Sequence, residues 1–380
     1  MRYFPFISSL LLLLAISCSK GDQNIDNADT FNSYSINCEV GDTYQLEAKT
    51  NKMKDKYDMD ANPNKLEFTS ADPSIATVSA KGLVTAVAPG STTVKVSGKG
   101  LGALRSINVK VLAKSETLMV MSFNTKVDDR SGSETGWAYR KTGALEMIRK
   151  NSPDLIGLQE GQPHQITFLS KNLPGYKWYG LGRDTGKVPA TTESYASEEC
   201  MAIFYKTDVL KMEECGTFWL SETPESVTKG WDANCIRTCT WARFTIIRTG
   251  KPIYYFNTHL DHKGPIAREE SIKLIIKKMA EINKTDAPMF LTADFNSATT
   301  NAIFDPLKAV MKDARVEAPI TDSHKTFHNY ESAEGKSVID HVWFSGRGNE
   351  VLKYHTVSES YAGMQFVSDH YPVYGQFQVR

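Results

Sequence analysis

The 380-residue chain balances 44 Lys+Arg against 44 Asp+Glu, and 41% of its residues are hydrophobic. That length and apolar content support two domains with packed cores. The balanced charge leaves no bulk attraction for a polyanion and so disfavours tight, non-specific nucleic-acid binding, although a small basic cleft is still allowed.

Arg2 begins a positive leader, and Phe4 to Ile16 is an apolar run of signal-peptide length. It is shorter than the ~20 residues needed to span a bilayer. The run ends in Leu14-Ala15-Ile16-Ser17-Cys18, which resembles a bacterial lipobox. The resemblance implies a signal peptide over residues 1–17, a lipid on Cys18, and anchorage in the bacterial cell envelope at the outer membrane or cell surface. Residues 18–32 then read as a solvated tether. Five further cysteines follow, at 38, 200, 215, 235 and 239. An odd number leaves at least one thiol unpaired within the chain. On one strand, Cys235 and Cys239 would stand about 13 Å apart, beyond the ~7 Å a disulfide tolerates.

From residue 33 to 113 the chain reads as short strands between turn residues. Thr43 to Ala48 alternates, Ile75 to Val78 follows Asp72-Pro73-Ser74, Ser91 to Ser97 has a clean period of two, and Ile107 to Val111 closes the series. This pattern predicts a small β-sandwich. The run from Thr69 to Ser79, continued through Gly82-Leu83-Val84-Thr85-Ala86 to Pro89-Gly90-Ser91-Thr92-Thr93, resembles the bacterial Ig-like group-2 family. Such modules space or bind other domains.

Over residues 114–380 strands alternate with helices. Strands are predicted at Leu118–Phe123, Leu155–Leu158, Met201–Tyr205, Thr240–Ile247, Ile253–Thr258, Met289–Thr292, Val338–Phe344 and Tyr371–Val379. Helices are predicted at Tyr139–Arg149 and Ala267–Ile282, the latter with Ile272, Ile275, Ile276 and Met279 on one face. The mixture fits two packed sheets flanked by helices.

Polar clusters are read at the C-terminal ends of these strands: Ser122-Phe123-Asn124, Leu158-Gln159-Glu160, Asn257-Thr258-His259, Asp294-Phe295-Asn296, Ile339-Asp340-His341 and Ser368-Asp369-His370. One such cluster is ordinary turn chemistry; six are not. Carboxylates and amides suit a hard divalent cation, and imidazoles move protons near neutral pH.

In this order the set resembles the endonuclease/exonuclease/phosphatase superfamily, from about Leu118 onward. The resemblance implies an α+β fold, a four-layer αββα sandwich, behind the all-β Ig-like sandwich. It also implies metal-dependent hydrolysis of phosphate esters with Mg²⁺, or Mn²⁺ in its place. Asn124, Glu160 and Asp369 match its metal cluster, and Asp294 and Asn296 match the pair that positions water. His259 and His370 match its phosphate donors, Asp340 the acid that orients His370, and Glu199 the acid that supports His259, with Glu198 as the substitute if the register slips. Arg237 matches a phosphate-binding arginine.

Asn257-Thr258-His259-Leu260-Asp261-His262 invites a binuclear zinc reading, but Asn257 stands where the first histidine is needed. Asp261 and His262 are then rim residues of the site or part of a polar loop. Arg183 and Lys187, in Gly182-Arg183-Asp184-Thr185-Gly186-Lys187, either meet a second phosphate or solubilise a turn. Serine-esterase and His-Glu-x-x-His motifs are absent from the sequence. A non-catalytic binding protein is the rival from another class, and the completeness of the polar set argues against it. The expected partners are a phosphate-ester substrate, nucleic acid included, and the membrane through Cys18, with the chain acting as a monomer.

Overall fold

The structure, a computed structural model, describes residues 35–46, 66–98, 102–345 and 348–379. The expected signal peptide, Cys18 and the tether lie outside the described residues.

The first seven strands are β1 (Ser35–Glu39), β2 (Thr43–Gln45), β3 (Leu66–Ser70), β4 (Ala76–Val78), β5 (Leu83–Ala86), β6 (Gly90–Gly98) and β7 (Gly102–Leu112). They form two sheets, β1-β7-β6-β3 and β2-β5-β4. The period of two carries the packing: Val94 and Val96 are buried while Lys95 between them is exposed. Ile36, Cys38, Val84, Ile107, Val109 and Val111 complete that core.

The remaining strands are β8 (Thr117–Asn124), β9 (Leu155–Gln159), β10 (Tyr176–Tyr179), β11 (Ile203–Lys206), β12 (Leu210–Trp219), β13 (Thr238–Ile246), β14 (Lys251–His259), β15 (Met289–Asp294), β16 (Lys312–Asp313), β17 (Asp340–Phe344), β18 (Asn349–Thr356) and β19 (Val373–Val379). They build two six-stranded sheets, β10-β11-β9-β8-β19-β18 and β12-β13-β14-β15-β17-β16. Leu118, Val120, Leu155, Phe244, Ile253, Phe290, Val342 and Phe377 fill the layer between them. Helices Trp137–Asn151 and Pro163–Asn172 cover the first sheet, setting Ala144, Ile148, Ile166 and Leu169 against Met121, Phe123 and Ile156. Helix Pro265–Ile282 covers the second, setting Ile272, Ile275 and Met279 against Tyr254, Phe256 and Leu291. The result is the four-layer αββα sandwich.

Strand alternation decides what the gap between the sheets contains. Ile253 and Tyr255 face inward, so Asn257 and His259 do too; Phe290 faces inward, and with it Thr292 and Asp294. Toward one edge these inward positions change from apolar to polar. Asn257 is the hub of the change: it accepts from Gln159 Nε2 at 2.7 Å and Thr292 Oγ1 at 3.0 Å, and donates to the Leu158 carbonyl at 2.8 Å. It is a buried bridge between the sheets rather than a lost metal ligand.

Asp340 opens β17, and Asp369-His370 precede β19, so these clusters stand at strand beginnings and not at strand ends. Both strands run antiparallel to their central neighbours, which brings their starts to the edge where β15 and β8 finish. Glu39 accepts from Thr117 Oγ1 at 2.6 Å and from Gln376, and Asp42 pairs with Lys353 at 2.8 Å, tying the Ig-like part to the sandwich.

Candidate active site

Register assembles the site. His259 pairs with Asp294 across β14 and β15, Asp294 with Asp340 across β15 and β17, and Asn124 with Gln159 across β8 and β9. Glu160 follows β9 at φ 57, Asn296 follows β15 at φ 49, and Lys126 lies just past β8 at φ 59. Left-handed backbone costs a residue with a Cβ roughly 1–2 kcal/mol. Here it is offset by local bonds: Glu160 Oε2 accepts from Val127 N at 2.8 Å, and Asp294 Oδ1 accepts from Asn296 N at 2.9 Å.

The edge opens into a cleft of about 350 Å³, lined by Glu160, Glu199, Asp294, Asn296, Asp369, His259 and His370, with Lys126, Arg183 and Arg237 as its cations. Asp340 stands behind His370, its Oδ2 2.8 Å from His370 Nδ1. Burial opposes a charge on His370, but Asp340 and then Asp294 outweigh it and lift the ring to about 10. His370 is therefore an imidazolium at neutral pH. Asp294, Asp340 and His370 lie close enough to suggest a metal trio. A protonated ring bonded to Asp340 is instead a donor, with no lone pair for an ion.

His259 is its opposite. Burial, and next the positive Arg237 and His370, hold it well below the usual histidine range, so it is neutral. Asn296 Nδ2 donates both to His259 Nε2 at 2.8 Å and to the Leu260 carbonyl at 3.0 Å. The ring proton then belongs on Nδ1, which is buried without a partner. Two histidines expected to act alike differ in charge.

Two expected contacts take another form. Glu199 accepts from Arg183 Nη1 at 2.7 Å and makes no hydrogen bond to His259, because the guanidinium is the stronger partner for a half-buried carboxylate. Glu198 turns away to Thr185. Asn124 Oδ1 accepts from Lys126 N at 2.9 Å, so its Nδ2 donates to Glu160 at 3.1 Å and to Asp294 at 2.9 Å. An amide nitrogen orders the acids around it but does not bind a metal.

Oxygen donors remain for a hard cation at Glu160 and Asp369, beside Asp294. Burial, and then Asp340, raise the Asp294 carboxyl to about 7. Such crowding of carboxylates is what a divalent ion relieves, so the donor set fits one.

Arg183 belongs to the cleft, whereas Lys187 is an exposed turn residue. Asp261 is buried, accepting from Lys263 N and Gly264 N at 3.0 and 2.8 Å, with Arg237 Nε 3.5 Å away; His262 lies 3.1 Å from Arg237 Nη2. Sequence reasoning missed Lys126, whose Nζ is 3.1 Å from Asp369. It also missed Arg140, fully buried and donating to the carbonyls of Thr125 (2.7 Å), Lys126 (3.1 Å), Thr135 (2.7 Å) and Val367 (3.0 Å). Lys126 had a signal, two residues past Asn124; Arg140 had none, since a charge on an amphipathic helix reads as solvated.

The Endonuclease/Exonuclease/phosphatase family model matches residues 121–370, and the Bacterial Ig-like domain (group 2) model matches residues 30–104. An endonuclease/exonuclease/phosphatase family protein from Bacteroides thetaiotaomicron is 33% identical in a superposition covering 70% of this chain and 98% of that one, with a TM-score of 0.63. A mannosyl-6-phosphatase from Bacteroides thetaiotaomicron is 34% identical over 68% of this chain and 99% of its own, with a TM-score of 0.62. The human Nocturnin catalytic domain, at 18% identity and a TM-score of 0.55 over 70% of this chain and 94% of its own, shares the fold. No curated protein matches the chain. With its polar edge, its sandwich and these relatives in agreement, the chain belongs to the endonuclease/exonuclease/phosphatase family, its phosphoesterase-type domain preceded by a bacterial Ig-like domain.

Proposed function

We propose that the chain is a Mg²⁺-dependent hydrolase of phosphate esters, lipid-anchored through Cys18 at the bacterial cell envelope, with sugar phosphates as its main substrates. The observation that carries this reading is the cleft itself, lined by acids, amides and histidines together with Lys126, Arg183 and Arg237. A volume of about 350 Å³ suits a small ester. The 34% identical mannosyl-6-phosphatase supports the sugar phosphate, and the lipobox-like Cys18 supports the anchor.

Asp294, fixed by Asn296 N, orients the attacking water and takes its proton. His370, held by Asp340, donates from Nε2 to a non-bridging phosphate oxygen. His259, neutral and with its ring kept in place by Asn296, lines the cleft beside the phosphate. Arg237, Arg183 and Lys126 balance the phosphate charge. Glu160 and Asp369, ordered by Asn124 and Lys126, would hold the cation, which when bound supplies Lewis-acid neutralisation of phosphoryl charge; Mn²⁺ has the same preference for oxygen.

Phosphate release tests the reading, with mannose 6-phosphate and other sugar phosphates set against an aryl phosphodiester, DNA and RNA. Mg²⁺-dependent release with the highest kcat/KM on sugar phosphates is expected. Preferential cutting of DNA or RNA would overturn the substrate class, and full activity in EDTA would overturn the metal.

A further inference from the structure

A second group of metal donors stands at the rim of the cleft, unused by the hydrolysis above. Cys235 Sγ, an Asp261 carboxylate oxygen and a His262 ring nitrogen all lie within 4.8 Å of one another. Thiolate, imidazole and carboxylate together favour Zn²⁺ over Mg²⁺. The group thus differs in kind from the all-oxygen donors at Glu160 and Asp369.

The loop holds these donors in place. Asp261 accepts from the backbone of Lys263 and Gly264, and from Cys235 N at 3.1 Å, so one donor fixes the main chain of another. Burial works against its charge, but the surrounding backbone amides outweigh it and keep the carboxyl well below the usual range. Asn234 Nδ2 donates to Cys235 Sγ at 3.3 Å, the outer support a metal-bound sulfur needs. Among the described thiols, Cys38, Cys200 and Cys239 are buried and pushed up in pKa by that burial, and Cys215 lies on β12; Cys235 lines the cleft.

Asp261 and His262 also steady Arg237, whose Nε is 3.5 Å from Asp261 Oδ2 and whose Nη2 is 3.1 Å from His262 Nδ1. Arg237 Nε makes no hydrogen bond, so this grip is partial. A cation bound by the three donors competes for both partners of the guanidinium and adds positive charge beside it.

We propose that Cys235, Asp261 and His262 form an inhibitory Zn²⁺ site, with the fourth position open to water. Binding releases the Cys235 thiol proton to solvent. Occupancy lowers turnover by loosening Arg237 from its phosphate-binding position.

The test uses the full chain with Mg²⁺ in large excess. Co²⁺ serves as the spectroscopic probe and Zn²⁺ as the inhibitor. One equivalent of Co²⁺ is expected to give a thiolate-to-metal charge-transfer band that Cys235→Ser lacks. Zn²⁺ is expected to protect Cys235 from alkylation, read by peptide mass spectrometry on the unmutated protein. The Zn²⁺ concentration that halves each protein's own rate should rise at least about tenfold in Cys235→Ser. No thiolate band, no protection from alkylation, or equal Zn²⁺ sensitivity in the variant each overturns the proposal. The first two readouts need no turnover, so they stand apart from the proposed phosphatase activity.

Discussion

Asn124 and Asp294 belong to different sheets, and the amide of the first donates to the carboxylate of the second at 2.9 Å. The same nitrogen reaches Glu160 at 3.1 Å, so one side chain orders acids carried by both sheets. Asn124→Leu removes these bonds and leaves buried oxygens unsatisfied. It should lower stability by about 1–3 kcal/mol and kcat by roughly 10²-fold. Thermal melts and steady-state rates check both. Unchanged kcat would mean the two acids are positioned without it.

Arg140 clamps the Thr125-Lys126 turn to Val367, two residues before Asp369. Arg140→Met keeps the bulk but abandons the carbonyls, and should destabilise by about 3 kcal/mol or more. Because Lys126 and Asp369 sit on the two clamped segments, the apparent Mg²⁺ affinity of the folded variant should fall as well. A variant with a lower Tm and unchanged Mg²⁺ dependence would restrict Arg140 to stability.

The strand-edge acids and histidines were legible because each sits where an apolar strand turns polar, a pattern local to the sequence, whereas their pairing through parallel and antiparallel register was not. Contacts were not: Glu199 gives no sign in sequence of preferring Arg183, nor Asn124 of presenting its nitrogen. Strands β12 and β18 went unread for a local reason. Each carries a bulge, between Met212 and Glu214 and between Val351 and Lys353, and a bulge breaks the period of two. Helix Pro163–Asn172 escaped through brevity, with ten residues.

Gly157 faces the polar layer between the sheets. A Cβ there would stand 2.1 Å from Thr292 Oγ1, 2.4 Å from Asn257 Oδ1 and 2.6 Å from Tyr255 OH. Gly157→Ala should therefore cost about 1–3 kcal/mol, seen as a lower urea midpoint. A neutral substitution would show that the layer yields freely.

His355 lies 3.2 Å from Asp322 and 2.9 Å from Glu359. Burial opposes its charge, but hydrogen bonds to both acids outweigh it and raise the ring to about 9. A raised pKa contributes stability that is present in full below the unfolded value near ~6.5 and is lost as pH rises through the folded value. The advantage of wild type over His355→Gln should be about 1–2 kcal/mol near pH 6, discounted for partial exposure, and should fade by about pH 10. Melts across that range decide it; a constant difference would contradict the ion pairs.

Hydrolysis of phosphate esters is proposed for the cleft around Asp294. Asp294→Asn preserves shape and hydrogen-bonding size while removing the charge proposed to take the water's proton. The direct measurement is phosphate release from mannose 6-phosphate in saturating Mg²⁺, wild type beside Asp294→Asn, with folding verified by circular dichroism. The expected result is a kcat lower by roughly 10²–10⁴-fold with KM little changed. Equal turnover by the two proteins would contradict it.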